Sequence, residues 1–329
     1  MNNDLTKTQH YTRNKDYICQ NLTKYFSEKN IFIEPFVGEG DLLSLYPNSK
    51  WEMYDIEPKV YGLKRDTLEN PPSYKDRIII TNPPFLARNK ALDKSIYNKT
   101  GLDDLYKIFL SSIMECEGGI VIIPFNFFTD TQSAKVRKRF LDNFTILEIN
   151  VFLEPVFPST TYSVCSFAFA KRHIEKGEQE LSINIFPAKK SLQIKLYPEY
   201  NYRLGGEALD KIKDTSPLFG RLIGETSADY ITHMKLETID RRQSPFGLTF
   251  QREPIKGKVS DRTTATLTCA RELSEEEERK LIQTFNEEMT ELRERYYNLI
   301  FTNYRDYGRK RVEFDFVYRY LTKIINEDA

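Results

Sequence analysis

Two hydrophobic periods alternate along the first half of the chain. Tyr17, Ile18, Leu22 and Tyr25 recur at helical spacing and predict a helix over 16–26, after which Ile31-Phe32-Ile33 starts a strand. A second strand over 51–54 ends at Asp55, and the unbroken run Ile78-Ile79-Ile80 predicts a strand buried on both faces. Leu105, Tyr106, Phe109, Leu110, Ile113 and Met114 mark one face of an amphipathic helix, which Gly118-Gly119 breaks before a second buried run, Ile120 to Ile123. A basic helix over 134–141 and strands over 146–151 and 162–170 continue the rhythm. Strand and helix in alternation predict an α/β fold with a doubly wound, mostly parallel sheet. Ligands bind such sheets at the C-terminal ends of the strands.

Four of those ends carry polar or conformationally special residues. The first strand runs into Glu34-Pro35-Phe36-Val37-Gly38-Glu39-Gly40, where Gly38 and Gly40 have no Cβ to keep a ligand from the backbone. A plain strand-to-helix turn explains this stretch as well when it is taken alone. Asp55, 15 positions after Gly40, stands where nucleotide-binding sheets place a carboxylate for ribose hydroxyls, although a helix N-cap is the other reading. Asp66 falls at a third strand tip, where it could accept from an adenine amino group or simply be a solvated loop aspartate.

The fourth end is Thr81-Asn82-Pro83-Pro84-Phe85. The two prolines remove two backbone donors, so the carbonyls of Asn82 and Pro83 meet no local amide. An Asn amide, a carbonyl and an aromatic ring within four residues suit a planar group bearing an NH2; a tight turn capping a strand is the alternative. The coincidence of four such strand ends is harder to explain by packing than any one of them.

Composition narrows the chemistry. With 40% hydrophobic and 29% charged residues over 329 positions, the chain reads as an ordinary globular protein of roughly two domains. No apolar run approaches the ~18 residues of a membrane span and the start lacks a signal-peptide core, which predicts a cytoplasmic protein. Cys19, Cys116, Cys165 and Cys269 are scattered, with only His10, His173 and His233 to help them, so a metal site is not expected.

Lys plus Arg equal Asp plus Glu at 48 each, so a polyanion would have to be met by a local patch. Such a patch lies between residues 241 and 271, where Arg241, Arg242, Arg252, Lys256, Lys258, Arg262 and Arg271 face only Glu253 and Asp261. Its glycines and proline suggest loops able to contact phosphates; a solvated loop is the other reading. The βα rhythm stops near residue 190. Ser274 and Glu277 then form a capping box before a long helix striped with Leu281, Phe285, Met289, Leu292, Tyr296 and Leu299, a pattern best read as core. A tail at 303–311 pairs aromatic with cationic residues.

The first half resembles S-adenosylmethionine-dependent DNA adenine-N6 methyltransferases of the gamma motif order, from about Tyr11 to Lys171. The Glu34 to Gly40 stretch resembles their motif I, Asp55 motif II, Asp66 motif III and Asn82-Pro83-Pro84-Phe85 the catalytic motif IV. Leu105-Tyr106, the strand over 118–124, the stretch 137–144 and Val156-Phe157-Pro158 are similar to motifs V to VIII. The sequence departs at Arg13, where the family's Tyr-Thr-Pro motif has proline after Tyr11-Thr12, and at Glu39 between the glycines.

The resemblance implies a Rossmann-like, doubly wound, mostly parallel seven-stranded methyltransferase sheet over 1–190, and a mixed α+β target-recognition domain over 191–329. It implies S-adenosylmethionine held by Thr12, Glu34, Pro35, Phe36, Gly38, Gly40, Asp55, Asp66 and Asn82. Asn82 and Pro83 would hold the adenine amine, with Pro84, Phe85 and Phe157 around the base. Double-stranded DNA is the implied partner, bound by the basic 241–262 residues, with a restriction endonuclease acting separately from a monomer or dimer. Modification of RNA adenine or of a glutamine side chain, and a silent DNA-binding module on the same scaffold, are the competing readings.

Overall fold

The computed structural model describes residues 12–158, 160–173, 177–223, 229–240, 245–252, 263–303 and 309–328. The chain divides into two compact units, with the main boundary between Arg203 and Leu204. The break lies beyond the expected 190 because the strand Lys190–Leu196 still belongs to the first sheet.

In the first unit the helix expected over 16–26 is a single turn, α1 (Lys15–Ile18), followed by a 3-10 turn at Thr23–Tyr25. Asn21 sits at φ 63° between them, a left-handed conformation that Asn tolerates and that stops the helix. The strands are β1 (Ile31–Glu34), β2 (Lys50–Asp55), β3 (Leu63–Lys64), β4 (Ile78–Thr81), β5 (Gly118–Pro124), β6 (Phe144–Phe152), β7 (Val164–Lys171), β8 (Gln179–Phe186) and β9 (Lys190–Leu196). Between β4 and β5 stand α2 (Ser95–Thr100) and α3 (Leu105–Ser112), and between β5 and β6 stand α4 (Asn126–Thr129) and α5 (Ala134–Asn143).

These strands form one sheet in the order β3-β2-β1-β4-β5-β7-β6-β8-β9. From β3 to β5 every neighbouring pair is parallel, while β7 is inserted antiparallel between β5 and β6. The expected seven-strand sheet is therefore present and is extended by β8, parallel to β6, and by its antiparallel partner β9. Gly119 of β5 is needed for this packing: a Cβ there would stand 2.1 Å from the Ile79 carbonyl oxygen. Phe140 of α5 packs its ring on Phe144, Phe167 and Phe169, fixing the helix to the inserted strand.

Since β1 to β5 run the same way, residues 34, 55, 66 and 81 come to one edge of the sheet. Val164 pairs with Pro124, so the loop leading into β7 lies at that edge too.

The second unit carries α6 (Gly206–Asp210) and an antiparallel sheet, β10-β13-β11-β12, made of β10 (Phe219–Arg221), β11 (Tyr230–Glu237), β12 (Gly247–Phe250) and β13 (Thr264–Cys269). Two helices, α7 (Glu275–Tyr296) and α8 (Phe314–Asp328), pack with it. The capping box is formed, with Ser274 N donating to Glu277 Oε2 at 2.8 Å and Glu277 N to Ser274 Oγ at 3.2 Å. The stripe Leu281, Phe285 and Met289 is buried against Met234, Leu236, Leu248 and Leu267, so it is core.

Candidate active site

The turn after β1 is set by its glycines. Gly38 and Gly40 have φ of 54° and 83°, and Gly40 N closes the turn on the Val37 carbonyl at 2.8 Å. At φ 83° an L side chain is strained, and a Cβ on Gly40 would also lie 2.5 Å from the Tyr61 ring. The turn is tied to β2 by Gly38 N, which donates to Asp55 Oδ2 at 2.9 Å, while Asp55 Oδ1 accepts from Glu57 N at 2.8 Å. Each carboxylate oxygen has two lone pairs, so each keeps one acceptor site for a ligand hydroxyl.

Asp66, just beyond β3, uses Oδ1 to accept from Leu68 N and Glu69 N, both at 3.1 Å, which leaves Oδ2 as its acceptor for a ligand. The next residue, Thr67, is buried and donates to the Pro35 carbonyl at 3.0 Å, joining the third strand end to the first.

Glu34 is 2% exposed at the end of β1. Its Oε1 accepts from the Thr81 hydroxyl of β4 and from Phe36 N at 3.1 Å. Burial pushes its carboxyl up to about 8, with the nearby Asp55 adding to the rise and the two hydrogen bonds opposing it. Asn82, half-buried just after β4, donates from Nδ2 to Thr12 Oγ1 at 3.2 Å, and Thr12 is itself buried.

These residues enclose a cavity of about 350 Å³. Thr12, Glu34, Phe36, Gly38, Asp55, Asp66, Asn82 and Pro84 line it. Pro35, Gly40, Pro83, Phe85 and Phe157 do not: Phe85 and Phe157 are 4% and 1% exposed, and Phe85 packs 6.2 Å from the Tyr162 ring. Ile56, Arg65, Ile96, Tyr97 and Leu86 also line the cavity without having been singled out. Ile56 carried a signal, an apolar residue directly after a strand-end carboxylate. Ile96 and Tyr97 lie on α2, which is too short and polar to show a helical period. At the rim Glu39 pairs with Arg13 at 3.5 Å and Lys59 at 3.9 Å, so the acidic residue between the glycines faces cations.

Of the basic residues expected to meet DNA, Arg252 is exposed just past β12. Arg241, Arg242, Lys256, Lys258 and Arg262 lie outside the described residues, as do Tyr11 and the tail residues Tyr304 and Arg305. The four cysteines are free and buried, and burial pushes Cys19 and Cys116 up to about 12, which makes them poor nucleophiles. Among the described residues no helix is long and apolar enough to cross a membrane.

Residues 3–157 match the family described as Eco57I restriction-modification methylase. The resemblance read from the motif order is borne out over that stretch, and the β3-β2-β1-β4-β5-β7-β6 order is a Rossmann-like methyltransferase sheet. The cofactor is S-adenosylmethionine. The cavity fits it: two carboxylates with acceptor capacity at adjacent strand ends suit an adenosine, and the glycine turn beside Glu34 admits the polar remainder.

No curated protein sequence matches the chain. Solved structures similar to it include a modification subunit of a putative type I restriction enzyme from Vibrio vulnificus, at 16% identity, covering 64% of this chain and 52% of that one with a TM-score of 0.43. The type IIG restriction endonuclease BpuSI is similar at 15% identity over 66% and 36% of the two chains, with a TM-score of 0.42. A putative class I S-adenosylmethionine-dependent methyltransferase from Listeria monocytogenes is similar at 16% identity over 51% and 61%, with a TM-score of 0.38. The chain spans about half the length of the Vibrio subunit, and at these scores the likenesses add nothing to the strand order.

Proposed function

We propose that the chain is a site-specific DNA methyltransferase of a restriction-modification system, or a viral counterpart, that methylates the N6 amine of an adenine flipped out of duplex DNA. The observation that carries this reading is the Asn82 loop at the end of β4, bordering the same cavity as Glu34, Asp55 and Asp66. The match of residues 3–157 to a restriction-modification methylase family supports it.

When bound, S-adenosylmethionine supplies an electrophilic methyl group on a sulfonium sulfur. The residues of the chain act on the other reactant. The lone pair of an adenine amine is delocalised into the ring, which makes the amine a poor nucleophile. With its N–H groups donated to Asn82 Oδ1 and the Pro83 carbonyl, the nitrogen is drawn toward tetrahedral geometry and the lone pair is localised. Asn82 is not a base, so the proton leaves after transfer, when the methylated nitrogen is cationic and acidic. Holding the amine at reacting distance accounts for much of the rate.

Pro84 and Phe85 border the base on this reading, and Phe157 supports that wall from within the core. Extruding the base costs a few kcal/mol, which contacts elsewhere on the DNA must offset. The second unit, with Arg252 and the other basic residues of 241–262, is assigned to target recognition, and a restriction endonuclease would act as a separate partner.

The test is transfer of radiolabel from S-adenosylmethionine to duplex DNA, structured RNA and protein extract in parallel. Label in duplex DNA that digests to N6-methyladenosine supports the reading. Label confined to RNA or protein overturns it in favour of the corresponding substrate.

A further inference from the structure

The segment 86–105, which continues the Asn82 loop, is a wall between two cavities. Leu86, Ala91, Ile96 and Tyr97 face the cofactor cavity. Ala87, Arg88, Asn89 and Lys94 line a second cavity, of about 780 Å³ and open to solvent, whose far side is formed by α4, α5 and the turn between them. The wall is braced by the bridge between Ala87 and Asp104 and by the Tyr97 hydroxyl, which donates to the Leu86 carbonyl at 2.8 Å.

Among the described residues no aromatic side chain lines the second cavity, so they offer no stacking platform for a base. Its polar lining combines the amides Asn89, Asn126 and Gln132 and the cations Arg88, Lys94 and Lys135 with Asp103 and Asp104. Lys135 also lines a third cavity, of about 510 Å³, together with Lys138 and Arg139.

Two of the three acidic residues along this path are ion-paired. Asp103 takes the buried Lys107 ammonium at 2.9 Å, and Asp142 takes Lys138 at 3.1 Å. Asp104 lies at the cavity wall with Oδ1 buried from solvent. Arg88, Lys94, Lys135 and Arg139 are all exposed, and none has a carboxylate within ion-pairing distance among the described residues. Lys135 and Arg139 are four residues apart on α5 and so share a face.

We infer that Arg88, Lys94, Lys135 and Arg139 form a track in the catalytic unit that holds the phosphate backbone of duplex DNA beside the target base. The inference rests on the reading of the chain as a DNA methyltransferase, and it adds residues of the catalytic unit to the basic 241–262 residues expected to meet DNA. A row of exposed cations along a groove without aromatic rings matches a phosphate backbone, whose contacts position the duplex without reading sequence. Because the wall residues continue directly from Phe85, a phosphate held by Arg88 or Lys94 would fix where the flipped nucleotide leaves the duplex.

The test is the salt dependence of binding of a fluorescein-labelled, random-sequence duplex by the full chain and by R88Q/K94Q/K135Q/R139Q. Each phosphate contact contributes about 0.9 to the slope of log K against log salt, so the variant is expected to lose on the order of 3 from that slope. Cofactor binding and melting temperature stay unchanged, since the four side chains are exposed. A control, K29Q/K50Q/K75Q, removes exposed lysines at or before the N-terminal ends of β1, β2 and β4 and keeps the wild-type slope. An unchanged slope in the track variant, with wild-type protein binding DNA, overturns the track alone. Equal loss in the control overturns it as well, in favour of a general charge effect. Failure of the wild-type protein to bind duplex DNA overturns the methyltransferase reading and the track with it.

Discussion

Asn82 donates its side-chain amide to the hydroxyl of Thr12 at 3.2 Å, joining residues 70 positions apart in the sequence. With Nδ2 directed at Thr12, Oδ1 is held on the opposite arm of the amide, the atom that the proposed mechanism uses as acceptor for an adenine amine. Thr12→Val removes the partner and lets the amide turn over. A neutral hydrogen bond contributes about 1 kcal/mol, so kcat is expected to fall roughly fivefold, with Thr12→Ser restoring it. Steady-state methyl transfer checks this, and a rise in KM alone would contradict it.

Glu34 makes the site's stability depend on pH. Its carboxyl titrates near 4.5 in the unfolded chain and about 8 in the folded protein, because burial disfavours the charge. The contribution is therefore fully present below 4.5 and is lost as pH rises through about 8. Glu34→Gln has no proton to lose at this position. The stability of the wild type relative to Glu34→Gln is expected to decline between pH 5 and 8 by on the order of a few kcal/mol, and to be flat below and above that window. Urea unfolding across the pH range measures it.

Gly40→Ala places a Cβ at φ 83°, against the Tyr61 ring. The left-handed backbone costs roughly 1–2 kcal/mol for an alanine. Thermal melting is expected to shift down and cofactor binding to weaken.

Arg137 belongs to the helix read as basic in the sequence, and it is 1% exposed. Its guanidinium donates to the carbonyls of Asn201 and Phe127, both at 2.7 Å, and of Asp130 at 2.9 Å. Burial lowers its pKa to about 10 without discharging it at neutral pH. Arg137→Ala leaves three carbonyls without their donor and is expected to destabilise the first unit by about 3–5 kcal/mol. Arg137→Lys rescues little, since an ammonium cannot reproduce the planar fork. Circular dichroism melts of the two variants decide this.

The sheet was legible because buried strands write themselves as unbroken apolar runs, as at Ile78 to Ile80 and Ile120 to Ile123. Of the strand-end residues singled out in sequence, Asp55, Asp66 and Asn82 border one cavity, because parallel strands bring their C-terminal ends to the same edge, while Gly40, Pro83 and Phe85 do not. What escaped was set by long-range contacts. The wall over 86–105 has no period and is placed by Tyr97 and the Ala87–Asp104 bridge. Arg137 could not be told from its exposed neighbours Lys135 and Arg139 without seeing the carbonyls that surround it. Strands β8 and β9 carry a period-2 pattern, with Leu181 opposite Ile194 and Ile183 opposite Leu192, but no helix separates them, so the alternating rhythm ended before they did.

The central claim is that Asn82 activates an adenine amine in DNA, and one comparison bears on it directly. Wild type and Asn82→Ala, matched for folding by circular dichroism and for cofactor binding by calorimetry, are incubated with labelled S-adenosylmethionine and duplex DNA, and the digested nucleosides are separated. The account predicts N6-methyladenosine from the wild type and a loss of at least two to three orders of magnitude in the variant, the scale on which removing one positioned polar group slows a reaction. Undiminished N6-methyladenosine from Asn82→Ala, or label in any other base, would contradict it.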